Sequence, residues 1–335
     1  MTVLQICGFE ADQNITYLQR EWDFFPAAAH SFSAGAFAGT TALDISSGNT
    51  RLRSRSYGLK NSLTVGMRVN FSSVPTSGSD SIRLRRGATE QIRFDFIQGS
   101  NSSFMKIQVK RGATTLATTA DIAIGIFTYV EVDSLMNTAT GTYAVYVNEQ
   151  LLVSGAGANT ADSGSNQGDV VDITLDGGTT GKIDDIYVAD GTLKGDMKIL
   201  GFAVNSDGAT TTWTPDSGTT HFDRVNDSPT TTNDGTYVKS DTVGNLDLFG
   251  HVALAGVTTP ILAVQTKISA AMEAVGTRNI REVCRSGGSN FNGGTQAISD
   301  LGYKTIFEVR EVDPNTAAAW TLANLNAAQF GVEVV

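Results

Sequence analysis

Apolar and polar residues alternate with a period of two along most of this chain. Leu63, Val65 and Met67 fall on one face of such a pattern, which continues to Phe71, while Thr64 falls on the other. This alternation is typical of strands that bury one face and expose the other. The same pattern predicts further strands at 92–96, 104–109, 129–135, 143–147, 171–175 and 183–188.

Short segments rich in Gly, Ser, Asn and Asp separate these strands and are predicted to be turns. The turns fall at 76–80, 98–101, 111–112, 137–141, 155–168 and 176–178. Short strands at regular spacing, with no helix-length segment between them, favour an antiparallel sandwich over a barrel of strand–helix units. The chain is therefore predicted to be all-β.

The length of the chain, 335 residues, is enough for two domains, since single hydrophobic cores stop growing at roughly 250–300 residues. A turn-rich run at 189–197 closes the first series of strands. We therefore predict a first domain at residues 1–193 and a second β-sandwich domain at residues 194–335.

The second domain begins with a polar, turn-forming segment at 205–247, which we predict to be loop. Strands are predicted to resume at 261–268, 277–285 and 304–312. One short helix is predicted at 322–329, because Thr321 is a good N-cap and Gly331 suits a helix C-terminus. The chain should end in a paired strand around Val332 and Val334.

The charge of the chain disfavours nucleic acid as its main partner. The formal net charge is −10, whereas polyanion binders need a basic face. Charge is unevenly distributed, however: residues 51–111 hold twelve basic and three acidic groups, and residues 112–194 hold two basic and eleven acidic groups. The first domain is thus predicted to be polarised.

Five arginines stand out in the basic segment, because within each group they alternate and so share a strand face. They are Arg51, Arg53, Arg55, Arg83 and Arg85. Three interpretations remain open: exposed ion pairs within one sandwich, a contact between subunits that matches basic and acidic faces, and binding of an anionic glycan.

Cysteine usage and segment composition bear on the compartment. Cys7 and Cys284 are the only cysteines, so a disulfide framework is excluded and both are predicted to be free thiols. The first thirty residues lack a basic leader with an apolar core, and no apolar run is long enough for a membrane span. We expect a protein that folds in a cytosol.

Glu131 and Asp133 lie two apart in a predicted strand, so both carboxylates point to one face, about 6.6 Å apart along the chain. Carboxylate pairs of this spacing serve in glycosidases. Glycoside hydrolases on the concanavalin A-like sandwich carry Glu-x-Asp-x-x-Glu there, with the last Glu as general acid. Met136 occupies that position in this chain, so we predict no catalytic residues and a protein that is not an enzyme.

Asp184, Asp185 and Asp190 offer hard oxygen ligands that suit Ca²⁺; solvated turn carboxylates are the alternative. No other cofactor is expected, because His30 and the other two histidines lie on separate predicted loops without partners at ligand spacing. Trp22, Trp213 and Trp320 could form a platform on which sugar rings stack, or could fill the cores.

Several phrases in the first domain resemble one family. They are Gly8-Phe-Glu10, Thr128-Tyr-Val-Glu-Val-Asp133, Gly141-Thr-Tyr-Ala-Val-Tyr-Val-Asn148 and Lys182-Ile-Asp-Asp-Ile-Tyr-Val188. They are similar to the strand series of concanavalin A-like lectin and glucanase jelly rolls, also called laminin-G-like domains. The resemblance implies a jelly roll at residues 1–193. The chain departs from the family at Asn148-Glu149, where a tight Asn-Gly or Asp-Gly turn is usual.

The remainder resembles C-terminal halves that accompany such domains in virion proteins of tailed bacteriophages. The phrases are Thr212-Trp-Thr-Pro215, Gly235-Thr-Tyr-Val238, Asp247-Leu-Phe249, Arg285-Ser-Gly-Gly288 and Asp313-Pro314 through Ala319-Trp-Thr321 with the Gly331-Val-Glu-Val ending. This resemblance implies a non-enzymatic structural component of a tail, fibre or neck appendage, made in the host cytoplasm and released by lysis.

The resemblance also implies the partners: further copies of the same chain, other virion proteins and host-surface glycans, with no membrane span. Two other functions stay open. A capsid decoration or head-fibre protein would carry the same folds on the outer surface of the capsid. A polysaccharide-degrading enzyme is disfavoured by Met136.

Overall fold

The structure is a computed structural model that describes residues 2–25, 30–46, 50–162, 164–191, 193–231, 233–255, 257, 260–299 and 301–335. The chain forms two compact units. The first unit is Met1–Glu10 with Trp22–Leu200, and the second is Ala11–Glu21 with Gly201–Val335. The second unit therefore includes a short N-terminal segment that the sequence-based boundary at residue 193 assigned to the first domain.

Fifteen strands build the first unit. They are Val3–Cys7 (β1), Phe32–Ala34 (β2), Thr41–Ile45 (β3), Thr50–Arg53 (β4), Ser62–Ser73 (β5), Ser81–Arg86 (β6), Thr89–Gln98 (β7), Phe104–Arg111 (β8), Thr114–Thr118 (β9), Ile122–Ala123 (β10), Thr128–Leu135 (β11), Gly141–Val147 (β12), Gln150–Ala158 (β13), Val170–Leu175 (β14) and Thr180–Ala189 (β15).

These strands form two antiparallel sheets. The eight-stranded sheet has the order β13-β12-β11-β5-β15-β3-β2, with β1 also paired to β15. The seven-stranded sheet has the order β10-β8-β7-β6-β14-β4, with β9 also paired to β8. Because consecutive strands often belong to different sheets, the connections cross between layers, as in a jelly-roll sandwich.

The core of the first unit lies between the two sheets. The inward residues of β5 that the alternation predicted, from Leu63 to Phe71, are all buried. Phe71 meets Phe96 of the opposite sheet edge to face, with ring centroids 5.3 Å apart. Aromatic pairs of this geometry add to the free energy gained by burying apolar area.

Eleven strands and two helices build the second unit. They are Ile15–Glu21 (α1), Val204–Thr211 (β16), Thr214–Pro215 (β17), Val238–Lys239 (β18), Leu246–His251 (β19), Val264–Ala270 (β20), Arg278–Ser286 (β21), Ser289–Ile298 (β22), Lys304–Arg310 (β23), Val312–Asp313 (β24), Ala318–Ala319 (β25), Leu322–Ala327 (α2) and Gln329–Val334 (β26). One turn of 3₁₀ helix, Phe222–Arg224, is also present.

A five-stranded sheet, β16-β19-β26-β21-β22, and a two-stranded pair, β20-β23, are the two layers of the second unit. Ile280 and Val332 of the larger sheet form one buried cluster with Ile306 of the pair. The prediction of an all-β chain with two sandwich bodies and one short C-terminal helix is confirmed. Among the described residues, no helix is long and apolar enough to cross a membrane.

Several local predictions were wrong. The helix α1 was missed, and strands β13 and β16 lie where turns and loop were expected. Thr321 does cap α2, since its hydroxyl accepts a hydrogen bond from the Asn324 amide at 3.1 Å. Gly331, however, lies inside β26 and not at a helix end. A Cβ at Gly331 would collide with the Asp247 carbonyl of the adjacent strand, so close strand pairing explains this glycine.

Candidate functional site

The outward side of the eight-stranded sheet carries a group of polar side chains that we call the carboxylate face. It comprises Arg68 of β5, Tyr129, Glu131 and Asp133 of β11, and Tyr187 of β15. Alternation places these residues on one side, because Val130 and Val132 between them point into the core. The face therefore contains the carboxylate pair that the sequence singled out.

Gly66 of β5 makes room for this arrangement. It is the cross-strand neighbour of both Glu131 and Tyr187. A Cβ at Gly66 would collide with the ring of Tyr187 and the hydroxyl of Tyr129. The absence of a side chain there lets the two tyrosines close over the middle strand.

Glu131 is enclosed and not open to solvent. Its carboxylate accepts hydrogen bonds from the Tyr187 hydroxyl, from the Lys194 amide at 2.9 Å and from the Gly195 amide at 3.2 Å. Burial raises the pKa of Glu131 despite these bonds. Asp133 accepts a hydrogen bond from Thr64 Oγ1 at 2.7 Å, and burial raises its pKa also.

Residues 193–200 lie across the carboxylate face, and we call them the covering segment. Asp196 forms an ion pair with Arg68 at 2.5 Å, and Met197 packs against the buried tyrosines of the face. The Ile199 amide donates a hydrogen bond to Asp185 Oδ1 at 2.7 Å. Met136, the position at which the sequence motif would require a general acid, is buried. The covering segment thus occupies the space that a substrate of Glu131 would need.

A second group of carboxylates, the acid cluster, consists of Glu10, Asp184 and Asp185. Burial and the charges of the two aspartates raise the pKa of Glu10 to about 8. Burial and the charge of Asp184 raise the pKa of Asp185 to about 7. Asp184 accepts hydrogen bonds from the amides of Ala36 and Asp185, at 2.9 and 2.8 Å.

The acid cluster does not have the geometry of a metal site. The carboxylate oxygens of Glu10, Asp184 and Asp185 do not all lie within 4.8 Å of one another, and Arg68 lies 3.4 Å from Asp185. Asp190 lies elsewhere: it accepts a hydrogen bond from the Thr2 amide at 2.6 Å and pairs with Lys60 at 3.6 Å. Of the three predicted metal ligands, Asp184 and Asp185 are therefore neighbours, and Asp190 lies apart from them.

Three of the five singled-out arginines converge on one buried aspartate of the seven-stranded sheet. Asp172 is fully buried and lies 2.6 Å from Arg51, 2.9 Å from Arg53 and 3.5 Å from Arg85. Burial alone would raise the pKa of Asp172, but the hydrogen bonds and charges of Arg51 and Arg53 outweigh it and lower the pKa to about 2. These arginines all form ion pairs within their own sheet.

The other two arginines have separate acidic neighbours. Arg83 lies 3.7 Å from Glu90 and donates a hydrogen bond to Ser81 Oγ at 2.7 Å. Arg55 lies 3.6 Å from Asp23.

The three tryptophans do not form one platform. Trp22, in the first unit, and Trp320, in the second, are each 2% exposed. Trp320 donates its indole hydrogen to the Arg310 carbonyl at 3.1 Å, and its ring lies tilted beside that of Phe330, with centroids 6.4 Å apart. Only Trp213 is partly open, and its indole donates to the Asn245 carbonyl at 3.1 Å.

Trp213 lines a cleft within the second unit, which we call the second-unit cleft. Its volume is about 910 Å³, and its lining includes Tyr17, Tyr237 and Tyr303. This volume is at the upper end of the range of small-molecule sites, roughly 300–1,000 Å³. The sequence reasoning found Trp213 but missed the tyrosines, which come from the N-terminal segment and from separate loops.

Charged pairs order the polar part of the second-unit cleft. Arg20 of α1 binds both oxygens of Asp234, at 2.7 and 2.6 Å, and lies over the ring of Tyr303 at 4.9 Å from its centroid. The hydroxyl of Tyr17 donates a hydrogen bond to Asp227 at 3.3 Å. Aromatic faces thus stand next to fixed carboxylates.

The cysteines and histidines do not form a reactive group with one another. Both cysteines are buried and neither forms a disulfide, as predicted, and burial raises the pKa of the Cys284 thiol to about 12. A thiol with this pKa is a weak nucleophile at neutral pH. His221 is buried beside Asp247, with Nδ1 2.6 Å from the carboxylate, and His251 contacts the Leu325 carbonyl.

Comparison with known protein families gives no match, and comparison with characterised protein sequences gives none either. Solved structures do resemble the chain. The catalytic domain of a glycoside hydrolase family 131 protein from Coprinopsis cinerea is 13% identical, with 59% of this chain and 98% of that chain covered and a TM-score of 0.40.

Two further solved structures are similar to part of the chain's length. Domain 4 of the arabinanase AbnA from Geobacillus stearothermophilus, solved with arabinotriose, is 13% identical, with 57% of this chain and 83% of that domain covered and a TM-score of 0.36. A heptameric SAP-like pentraxin from Limulus polyphemus is 16% identical, with 44% and 75% covered and a TM-score of 0.33. At these identities and scores, no residue role is transferred from any of the three.

Proposed function

We propose that this protein is a non-catalytic carbohydrate-binding protein and that the second-unit cleft is its binding site. The observation that carries the proposal is the pairing of aromatic side chains with ordered carboxylates in that cleft. Trp213, Tyr237 and Tyr303 line it together with the Arg20–Asp234 ion pair. Sugar rings bind in this way, with their C–H faces on aromatic rings and their hydroxyl groups on fixed polar atoms.

The ion pair prepares Asp234 for hydrogen bonds to hydroxyl groups. Arg20 is held between Asp234 and the ring of Tyr303, so both oxygens of Asp234 are fixed in position. Each oxygen keeps a lone pair that can accept a further hydrogen bond. A ligand then binds to groups that are already ordered, which lowers the entropic cost of binding.

The enclosure of Glu131 supports the non-catalytic part of the proposal. A general acid must reach the leaving oxygen of the substrate. Glu131 instead accepts hydrogen bonds from Tyr187 and from the backbone of the covering segment. Met136 offers no proton in its place.

We place this binding activity in the virion of a tailed bacteriophage, as a structural component of a tail, fibre or neck appendage. The support is the resemblance of the phrases between Thr212 and the Gly331-Val-Glu-Val ending to phage virion proteins. Binding to sugars of the host surface would serve attachment. Immunogold electron microscopy of purified particles would locate the protein on the tail or on the capsid.

Glycan-array binding of the full-length protein tests the proposal, with Tyr237→Ala as the decisive variant. Loss of the ring should weaken the binding of the best glycan about fivefold to tenfold, whereas Tyr237→Phe should retain it. Tyr146→Ala, on the first unit, is the matched control and should bind as the native chain does. An unchanged affinity of Tyr237→Ala for the best glycan, or release of reducing sugar from that glycan, would overturn the proposal.

A further inference from the structure

The outward side of the seven-stranded sheet carries an ordered array of cations. Arg53 of β4, Asp172 of β14, Arg83 of β6, Arg93 of β7 and Lys110 of β8 are direct cross-strand neighbours in that order. Four of the five positions in this row are therefore cationic, on five adjacent strands.

The rest of this side has the same sign. The cations at outward positions of the strands, which we call the basic face, are Arg51, Arg53, Arg83, Arg85, Arg93, Lys106 and Lys110. The acids at outward positions of the same strands are Glu90, Asp95 and Asp172. Asp121, beside β10, pairs with Lys106 at 3.5 Å. The basic face keeps an excess of positive charge after these acids are counted.

Like charges directly opposite each other destabilise a sheet. Arg93 faces Arg83 on one side and Lys110 on the other. Glu90 and Asp95 offset part of this repulsion, since they lie 3.3 and 3.0 Å from Arg93. Arg83, Arg93 and Lys110 thus break a local rule of sheet pairing, and positions that do so are where a binding function is expected.

The cations of the basic face are ordered before any ligand arrives. Their side chains are between 13% and 34% exposed, so each lies along the sheet with only part of its surface in water. A ligand would therefore immobilise few free side chains, and binding would cost little conformational entropy.

A second copy of this chain offers no matching row of acids for the basic face. Of the eleven acids between residues 112 and 194, Glu131, Asp172, Asp184 and Asp185 are buried. Six of the other seven lie between strands, so they form no row across a sheet like that of the basic face. Adjacent strands lie about 4.8 Å apart, so the row from Arg53 to Lys110 extends about 19 Å across the sheet, with Asp172 between Arg53 and Arg83. An extended chain of pyranose sugars that carries carboxylates along its length can cross the whole row.

We propose that the basic face binds a linear anionic polysaccharide of the polyuronate class, laid across the strands. Carboxylate groups of the sugar chain pair with guanidinium and ammonium groups along the cross-strand row. The inference does not depend on the second-unit cleft, because its residues all belong to the first unit.

The test is calorimetric titration of the full-length protein with polygalacturonate oligomers, and with dextran as the neutral counterpart. The variant is Arg83→Gln/Lys106→Gln/Lys110→Gln, which leaves the three arginines around Asp172 in place. The control is Lys182→Gln/Lys198→Gln/Lys304→Gln, which removes the same charge outside the seven-stranded sheet.

The native chain should bind polygalacturonate, more weakly as salt rises, and should bind it about tenfold more tightly than the face variant does. The control and Tyr237→Ala should bind it as the native chain does. Equal binding by the face variant and the control, no binding by the native chain, or a native oligomer that dissociates only in the face variant would overturn the proposal. The last result would assign the face to contacts between copies.

Discussion

The two outward sides of the first sandwich differ in how their charges are treated. On the carboxylate face, Glu131 is buried and Asp133 is half-buried, and burial raises the pKa of each. On the basic face, Asp172 is also buried, but its arginines lower its pKa to about 2. The covering segment lies over the carboxylate face. The cations of the basic face pair with neighbouring carboxylates and stay partly exposed.

This difference separates two roles that look alike in sequence. A charged strand residue can be part of an internal network, or it can be presented to a ligand. Glu131 belongs to an internal network because backbone amides of the covering segment donate hydrogen bonds to its carboxylate. Arg83 and Lys110 are of the second kind in our proposal, since the carboxylates beside them, Glu90 and Asp95, lie 3.7 Å away and leave both charges partly exposed.

The largest expected effect comes from Asp172→Asn, because three arginines would then face one another without a carboxylate. We expect the free energy of unfolding to fall by about 3 kcal/mol, a discounted value because the arginines are partly exposed. Urea unfolding measures this change. Asp176→Asn, an exposed acid just after β14, is the control and should change it by less than about 0.5 kcal/mol. Equal losses in both variants would show that the convergence on Asp172 does not stabilise the sheet.

Gly66→Ala should open the carboxylate face. The new Cβ would meet Tyr187 and Tyr129, and overpacking of this kind costs about 1–3 kcal/mol. Gly302→Ala is the control, since a Cβ there meets nothing within 4 Å. If chemical unfolding gave both variants native stability, the tight closure of the tyrosines over Gly66 would be contradicted.

The two faces should respond to pH in opposite directions, with the smallest effect of this series. The raised pKa of Glu131 means that its protonated form stabilises the fold at low pH, and this contribution is lost as pH rises above the ordinary value of 4.5. The lowered pKa of Asp172 means that its contribution is present above 3.8 and is lost as pH falls towards 2.

Unfolding curves across this pH range check the signs, with Glu131→Gln as the informative variant. Its stability should fall less than that of the native chain as pH rises. An identical slope would show that Glu131 is solvated in the folded protein.

The strands of the first sandwich could be predicted because each has one side in the core. The alternation of apolar and polar residues from Leu63 to Phe71 predicts one buried side, and the apolar positions of β5 are buried as predicted. Strand β13, Gln150–Ala158, could not be predicted in this way, because it is an edge strand whose residues are mostly exposed and small. Its glycines gave the signal of a turn.

The sites were less predictable than the strands because tertiary pairing creates them. The charge of Asp185 reaches Glu10 and raises its pKa because β1 pairs with β15, where Cys7 lies opposite Ile186. No spacing of residues along the chain predicts that these two carboxylates come near each other. The three tryptophans show the converse: residue type suggested sugar stacking, but exposure depends on the fold, and only Trp213 is partly open.

Hydrogen exchange of the Lys194, Gly195 and Ile199 amides tests most directly whether the carboxylate face is closed. If the covering segment is bound to Glu131 and Asp185 as the structure has it, these three amides exchange as slowly as amides within β11. Exchange as fast as that of an exposed turn would contradict the closure, and Glu131 would then be open to a substrate.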